Sequence, residues 1–128
     1  MDTDGALMHR DVTELIIKSY FKIYNTLGHG HLENVYKRAL EVAFKEKRLR
    51  CEREMAFPVF YHGENVGDYR ADIVVQNCVI VEVKTASKID EAHLAQCVNY
   101  LKASKMHVAL LLNFGPKAQF ERVFLSHP

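Results

Sequence analysis

Apolar residues recur along this chain with two periods, and the switches between them mark the elements. From Asp11 to Leu27 the positions Val12, Leu15, Ile16, Tyr20, Ile23 and Leu27 keep the spacing of one helix face. Asp11-Val12-Thr13-Glu14 resembles a capping box with Asp in place of Ser or Thr, and Gly28 supplies the stop. A second helix is predicted from about Leu32 to Lys47, with Tyr36, Ala39, Leu40, Ala43 and Phe44 as its apolar stripe. Alternation then takes over. Cys51 to Tyr61, Val66 to Gln76 and Cys78 to Lys84 read as a three-strand meander, divided by the turn signals His62-Gly63-Glu64-Asn65 and Gln76-Asn77. Pro58 assigns the first strand to an edge or a bulge, because proline cannot donate to a ladder. Helical spacing returns from about Ile89 to Ser104, with Ala92, Leu94, Ala95, Val98 and Leu101 inward. His107 to Phe114 is a continuous apolar run, as in a strand buried on both faces. Gly115-Pro116 breaks it, and Phe120 to Leu125 predicts a last edge strand. A strand reached through a helix makes a mixed sheet plausible.

Charges inside this pattern need an explanation. In Val79 to Lys84 the valines at 79, 81 and 83 point to one face, so Glu82 and Lys84 share the other. The Gln76-Asn77 turn pairs this strand with the one before it and brings Asp72 opposite Glu82, or within one residue of it. Two adjacent carboxylates repel unless a cation neutralises them, and clustered acidic oxygens are hard donors suited to Mg²⁺ or Mn²⁺ beside a phosphate. A lysine two positions on adds a positive charge that can offset charge developing on a phosphodiester. Each residue also has a plainer reading. Glu82 and Lys84 can be solvated on an amphipathic sheet, Glu33 can stabilise a helix N-terminus, and Gln96 and Tyr100 can be ordinary helix-surface residues.

Upstream lies Gly30-x-x-Glu33-x-x-Tyr36, and downstream Gln96-x-x-x-Tyr100. With Asp72 and Glu82-Val83-Lys84 in this order, the chain resembles the PD-(D/E)xK nuclease superfamily, and more narrowly the bacterial and archaeal GxxExxY family, from about Leu15 to Phe124. His29 departs from the pattern, standing where relatives often carry proline. The resemblance implies an α/β (α+β) restriction-endonuclease-like fold: an αβββαβ core with a mixed sheet flanked by helices, an extra N-terminal helix and a C-terminal edge strand. It implies Asp72 and Glu82 as metal ligands with the carbonyl of Val83, and Mg²⁺ or Mn²⁺ as the ion. Lys84 would orient water or stabilise the oxyanion, Glu33 would support the metal from the first turn of its helix, and Tyr36 would pack beneath it. Gln96 would hydrogen-bond Lys84 or the attacking water, and Tyr100 would reach the substrate backbone. The expected activity is nucleic-acid hydrolysis with DNA as substrate. The alternative is a catalytically silent module of the same fold that binds nucleic acid or a protein partner, and a homodimer stays open.

Composition changes this picture in two places. At 128 residues, 48% hydrophobic and 26% charged, the chain can bury a core and is expected to form one domain over 1–128, with no apolar run long enough to span a membrane. Met1-Asp2-Thr3-Asp4 lacks the features of a secretory signal, so a cytoplasmic location is expected. The net charge is only +1, low for a protein that grips a phosphate backbone. The basic excess is local: Lys37, Arg38, Lys45, Lys47, Arg48, Arg50 and Arg53 face only Glu41, Glu46 and Glu52. That stretch, with Lys37 and Arg38 at its head, can track a substrate backbone or simply form a solvated face. Cys51, Cys78 and Cys97 show no metal or disulfide spacing and read as buried thiols. His29-Gly30-His31 reads as a loop or cap rather than a ligand pair.

Overall fold

The elements follow in the expected order in a computed structural model that describes residues 8–127; the stretch Met1-Asp2-Thr3-Asp4 lies outside them. They are α1 (Arg10–Leu27), α2 (Glu33–Glu46), β1 (Cys51–Tyr61), β2 (Glu64–Val75), β3 (Val79–Lys84), α3 (Glu91–Ser104), β4 (Val108–Phe114) and β5 (Ala118–Phe124). The sheet order is β1-β2-β3-β4-β5. Neighbours are antiparallel except β3 and β4, which run parallel because α3 carries the chain back across the sheet. β1 is an edge strand, as Pro58 requires, and its pairing with β2 slips at Val59/Phe60.

Both turns of the meander place two consecutive residues at positive φ, the geometry that matches strand twist in tight hairpins. Gln76 (52°) and Asn77 (54°) form one, His62 (48°) and Gly63 (81°) the other. The second is tighter than its composition suggests, so β2 begins at Glu64. At α1 the expected capping box does not form. His9, in left-handed geometry, is the N-cap, and Thr13 N donates to His9 O, which starts the helix one residue before Asp11. Asp11 therefore acts only as a charge near the positive end of the helix. A capping box occurs instead at α3, where His93 N donates to Asp90 Oδ1 and Asp90 N donates to His93 Nδ1.

The sheet separates two apolar layers. Val79, Val81 and Val83 of β3 and Val108, Leu110, Leu112 and Phe114 of β4 face α1 and α2, meeting Ile16, Tyr20, Tyr36, Leu40 and Phe44. Ile80, Ala109 and Leu111 face α3 through Cys97, Tyr100 and Leu101. Every residue of β4 is buried, as its unbroken apolar run implies. Cys97 is fully buried, whereas Cys51 and Cys78 are half-buried; all three are free thiols. No helix among the described residues is long and apolar enough to cross a membrane.

Candidate active site

The ladder between β2 and β3 runs from Val75–Val79 through Val74–Ile80 to Ile73–Val81 and stops there. Its continuation would pair Asp72 with Glu82. Their side chains take over the pairing: Asp72 N donates to Glu82 Oε2 at 2.9 Å, and Val83 N donates to Asp72 Oδ2 at 2.8 Å. Each acid thus occupies an amide of the opposite strand, which holds the two carboxylates side by side at the mouth of a splayed hairpin.

Glu54 of β1 lies across from Asp72, between the pairs Arg53–Ile73 and Met55–Ala71, and takes φ 57° within a strand. A non-glycine residue pays for that left-handed geometry in strain. The result is a change of face. Ile73 packs with the α1/α2 layer, yet Ala71, two residues away, packs with the α3 layer, as do Met55 and Phe57. Residues two apart in a regular strand would share a face. Asp72 sits at this pivot, where it can meet groups from both layers.

From the α2 side comes Lys37. Its Nζ lies 2.9 Å from Asp72 Oδ1 and 3.8 Å from Glu33 Oε1. Burial pulls its ammonium down, but the hydrogen bond and charge of Asp72, with Glu33 and Glu54 behind it, win and hold its pKa above the ordinary lysine value. From the α3 side comes an apolar floor. Glu82 is 2% exposed. Burial, then the charge of Asp72, pushes its carboxyl up to about 8, against the opposing pull of the Asp72 amide, Lys84 and Lys37. Burial and Glu82 together push the Cys97 thiol up to about 12 and raise the Tyr100 phenol as well. Cys97 is thus an inert wall rather than a nucleophile.

Asp72, Glu82, Glu33 and Lys37 are therefore brought together, and Lys84 lies close enough to lower the Glu82 pKa. Lys37 sits inside the acidic group rather than along an exposed basic track; Arg38, its neighbour, is exposed. Val83 turns its amide toward Asp72, so its carbonyl points to the same edge. Two residues sit differently from expectation. Gln96 Nε2 donates to Tyr100 Oη at 3.4 Å rather than meeting Lys84 or the position of the attacking water. Tyr100 is 7% exposed with its ring edge-on to Tyr69, so it supports the site from beneath and does not reach outward in this conformation. Tyr36 is fully buried, stacked on Phe114 at 4.2 Å, with its hydroxyl donating to Gly28 O and accepting from His31 N. It fixes the loop that leads into Glu33. The participation of Glu54 had no signal in the sequence beyond its charge.

Two carboxylates held together, one of them buried and resisting ionisation, form a site that a cation would relieve. Among the described residues no group of three or more His, Cys, Asp or Glu side chains is spaced to hold a metal ion. A cation there would rest on Asp72, Glu82, a backbone carbonyl and water or substrate oxygens. Magnesium accepts such a set, since it commonly takes one or two carboxylates and keeps several waters.

A family model described as the PD-(D/E)XK nuclease superfamily matches residues 10–123. No match is found among curated proteins. Among solved structures the chain is similar to one titled "Crystal structure of SSO0001", with a TM-score of 0.56 and 18% sequence identity over 94% of this chain. The chain spans 60% of the length of that protein. At this identity the likeness is one of fold, and the fold is restriction-endonuclease-like: a mixed five-stranded sheet with helices on both faces.

Proposed function

Because the chain belongs to the PD-(D/E)XK nuclease superfamily, we propose that it hydrolyses phosphodiester bonds with a divalent cation, magnesium or manganese, and that DNA is its substrate. The observation that carries this reading is the interlocked pair, Asp72 and Glu82, each bonded to the other strand's amide beside two lysines. Superfamily members generally use divalent metals. Bound between these carboxylates, such an ion would neutralise them and lower the pKa of a water.

The chain's own groups do the rest. Asp72 and Glu82 spend one oxygen each on an amide, which locks their orientation, and each carboxylate keeps lone pairs for a ligand. Glu82 is buried against the Cys97 and Tyr100 floor, so charge at this point is poorly screened and electrostatic stabilisation is strong. Lys84, on the same face as Glu82, orients the attacking water or offsets charge on the phosphate. Lys37 neutralises Asp72 while the site is empty of substrate and supplies a second cation to the phosphate when it moves. Glu33 holds Lys37 from the first turn of α2. Within the superfamily, the Gly30-x-x-Glu33-x-x-Tyr36 motif supports a narrower kinship with the GxxExxY proteins, its tyrosine acting as the clamp on the loop before the glutamate.

One observation favours a second reading. The Lys37 ammonium already stands 2.9 Å from Asp72, where it can substitute for a cation, as in a module that binds nucleic acid or a protein and cuts nothing. Purified protein incubated with supercoiled, linear and single-stranded substrates in Mg²⁺, Mn²⁺ or chelator decides between them. The nuclease cleaves only with metal, Glu82→Ala abolishes cleavage without unfolding the protein, and Lys84→Ala slows turnover while sparing metal affinity. A fully active Glu82→Ala protein, or calorimetry showing no uptake of either ion, overturns the assignment.

A further inference from the structure

A polar cleft of about 370 Å³ opens among the loops that precede α2 and follow β3 and β4, and has no role in the reading above. Its walls are three loops: His29-Gly30-His31 before α2, Thr85 and Ser87 after β3, and Phe114-Gly115-Pro116 after β4. Thr85 directly follows Lys84, and His31 lies two residues before Glu33, so two walls of the cleft continue into segments that carry residues of the candidate active site. No carboxylate lines it. Every polar side chain that does is a hydroxyl or an imidazole, groups able to donate hydrogen bonds to anionic oxygens.

The cleft is built rather than incidental. All three loops are tied to the core by side-chain hydrogen bonds to their backbone. Asn113, fully buried at the end of β4, accepts from Ala86 N at 2.9 Å and donates to Ala86 O at 2.9 Å, so the segment carrying Thr85 and Ser87 is held as if by another strand. Gln119 accepts from Ile89 N and extends that hold. Gly115 is packed against the same segment so closely that a Cβ would lie 1.9 Å from Ala86 O. Tyr24 Oη donates to Gly115 O at 2.6 Å, and Tyr20 Oη bonds the backbone of Asn113 and Gln119. Tyr36 pins the remaining loop through Gly28 and His31, and His31 Nε2 contacts Leu27 O. At Gly30, φ is 104° and a Cβ would meet nothing within 4 Å, so the backbone there is open to a ligand. Rigid loops presenting uncharged or cationic donors are the means by which a protein recognises phosphate without paying for ordering on binding.

We propose that the cleft formed by His29, His31, Thr85 and Ser87 is a phosphate subsite, which seats a backbone phosphate neighbouring the one positioned at Asp72, Glu82 and Lys84. The identity of the ligand as a nucleic-acid strand rests on the nuclease reading; the affinity for phosphate does not. By fixing the strand beside the reacting group, the subsite sets which phosphodiester meets the carboxylates.

The test uses the full chain in chelator, so that neither metal nor cleavage is needed. Inorganic phosphate, single-stranded oligothymidylate and the same oligomer with an uncharged methylphosphonate backbone are titrated while backbone amide resonances are followed. Phosphate and oligothymidylate should each shift the amides of His29, His31, Thr85 and Ser87 saturably, and the uncharged oligomer should leave them still. Thr85→Ala and Ser87→Ala, at exposed positions that leave the fold alone, should each weaken phosphate by roughly five- to tenfold. Shifts confined to the basic stretch of α2, equal binding of the uncharged oligomer, or unchanged affinity in both variants overturns the subsite. Saturable phosphate shifts in a protein that takes up no metal and cuts nothing would leave the subsite standing and remove the nuclease reading.

Discussion

At the scale of residues, Glu82 concentrates the physics of the site. It is a carboxylate placed in an apolar layer beside another carboxylate, with a pKa pushed up to about 8 by burial and by Asp72. In the unfolded chain it ionises at about 4.5. Between these values the folded protein binds the extra proton, so this residue costs stability progressively as pH rises from about 4.5 to about 8, and the full cost persists above. Glu82→Gln keeps an oxygen for the Asp72 amide and removes the charge. In chelator, chemical denaturation should find the variant more stable than wild type at about pH 9 by roughly 1–3 kcal/mol, the advantage shrinking toward about pH 5. Equal pH profiles for both proteins would show that Glu82 is not held in an unfavourable charged state. The location of this residue was legible in the sequence, because alternation in Val79 to Lys84 leaves no other face for it. Its near-complete burial was not, since that depends on α3 closing over the sheet from a distant part of the chain. Glu54 was less legible still. Nothing in Cys51 to Tyr61 distinguishes a glutamate at φ 57° from its neighbours; the kink shows only in the finished sheet, where the residues on either side of it pack into different layers.

At the scale of elements, helices serve the site mainly by gripping loops. Tyr20 and Tyr24 of α1 and Tyr36 of α2 carry their hydroxyls to the backbone of the segments around the cleft, while their rings pack on one another and on Phe114. The helical period places Tyr20 and Tyr36 on the inward face, but spacing alone reads them as packing; the hydrogen bonds appear only once β4 and β5 lie beneath. Tyr36→Phe separates the two roles. The ring stack on Phe114 survives, and Gly28 O and His31 N each lose a partner, so the variant should stay folded with about 1–3 kcal/mol less stability. Amide hydrogen exchange should quicken in residues 28–33 above all. Exchange that accelerates uniformly across the sheet would mean that the hydroxyl holds the whole fold rather than one loop. Tyr100 teaches the opposite lesson. Its place in a Gln-x-x-x-Tyr spacing points toward substrate, but α3 turns that face into the sheet, where Tyr69 and the carboxylates meet it.

At the scale of the whole molecule, charge sets how a polyanion would be met. The net charge is +1, and two of the basic residues from Lys37 to Arg53 are already engaged: Lys37 with Asp72, and Arg53 with Glu41 and Asn34. The other five stand among Glu41, Glu46 and Glu52 on a molecule of almost no net charge, so the positive excess that can displace condensed counterions is small. Affinity for a nucleic acid should therefore fall gently with added salt, with a log–log slope equivalent to about two to four phosphates neutralised. Fluorescence anisotropy across a salt series measures this directly, and a slope of about eight or more would reveal a much larger electrostatic footprint than this surface carries.

The carboxylate pair lies within a single hairpin, whereas its floor comes from α3, and β4, the parallel neighbour of β3, follows only after that helix. Local pairing precedes distant pairing because less chain entropy is lost in closing the shorter loop. A growing polypeptide would accordingly juxtapose the acids while they are still wet and only later surround them with hydrocarbon. Assembly of the charged pair and its removal from water are separate events in the history of each molecule, and the second waits on α3 and β4.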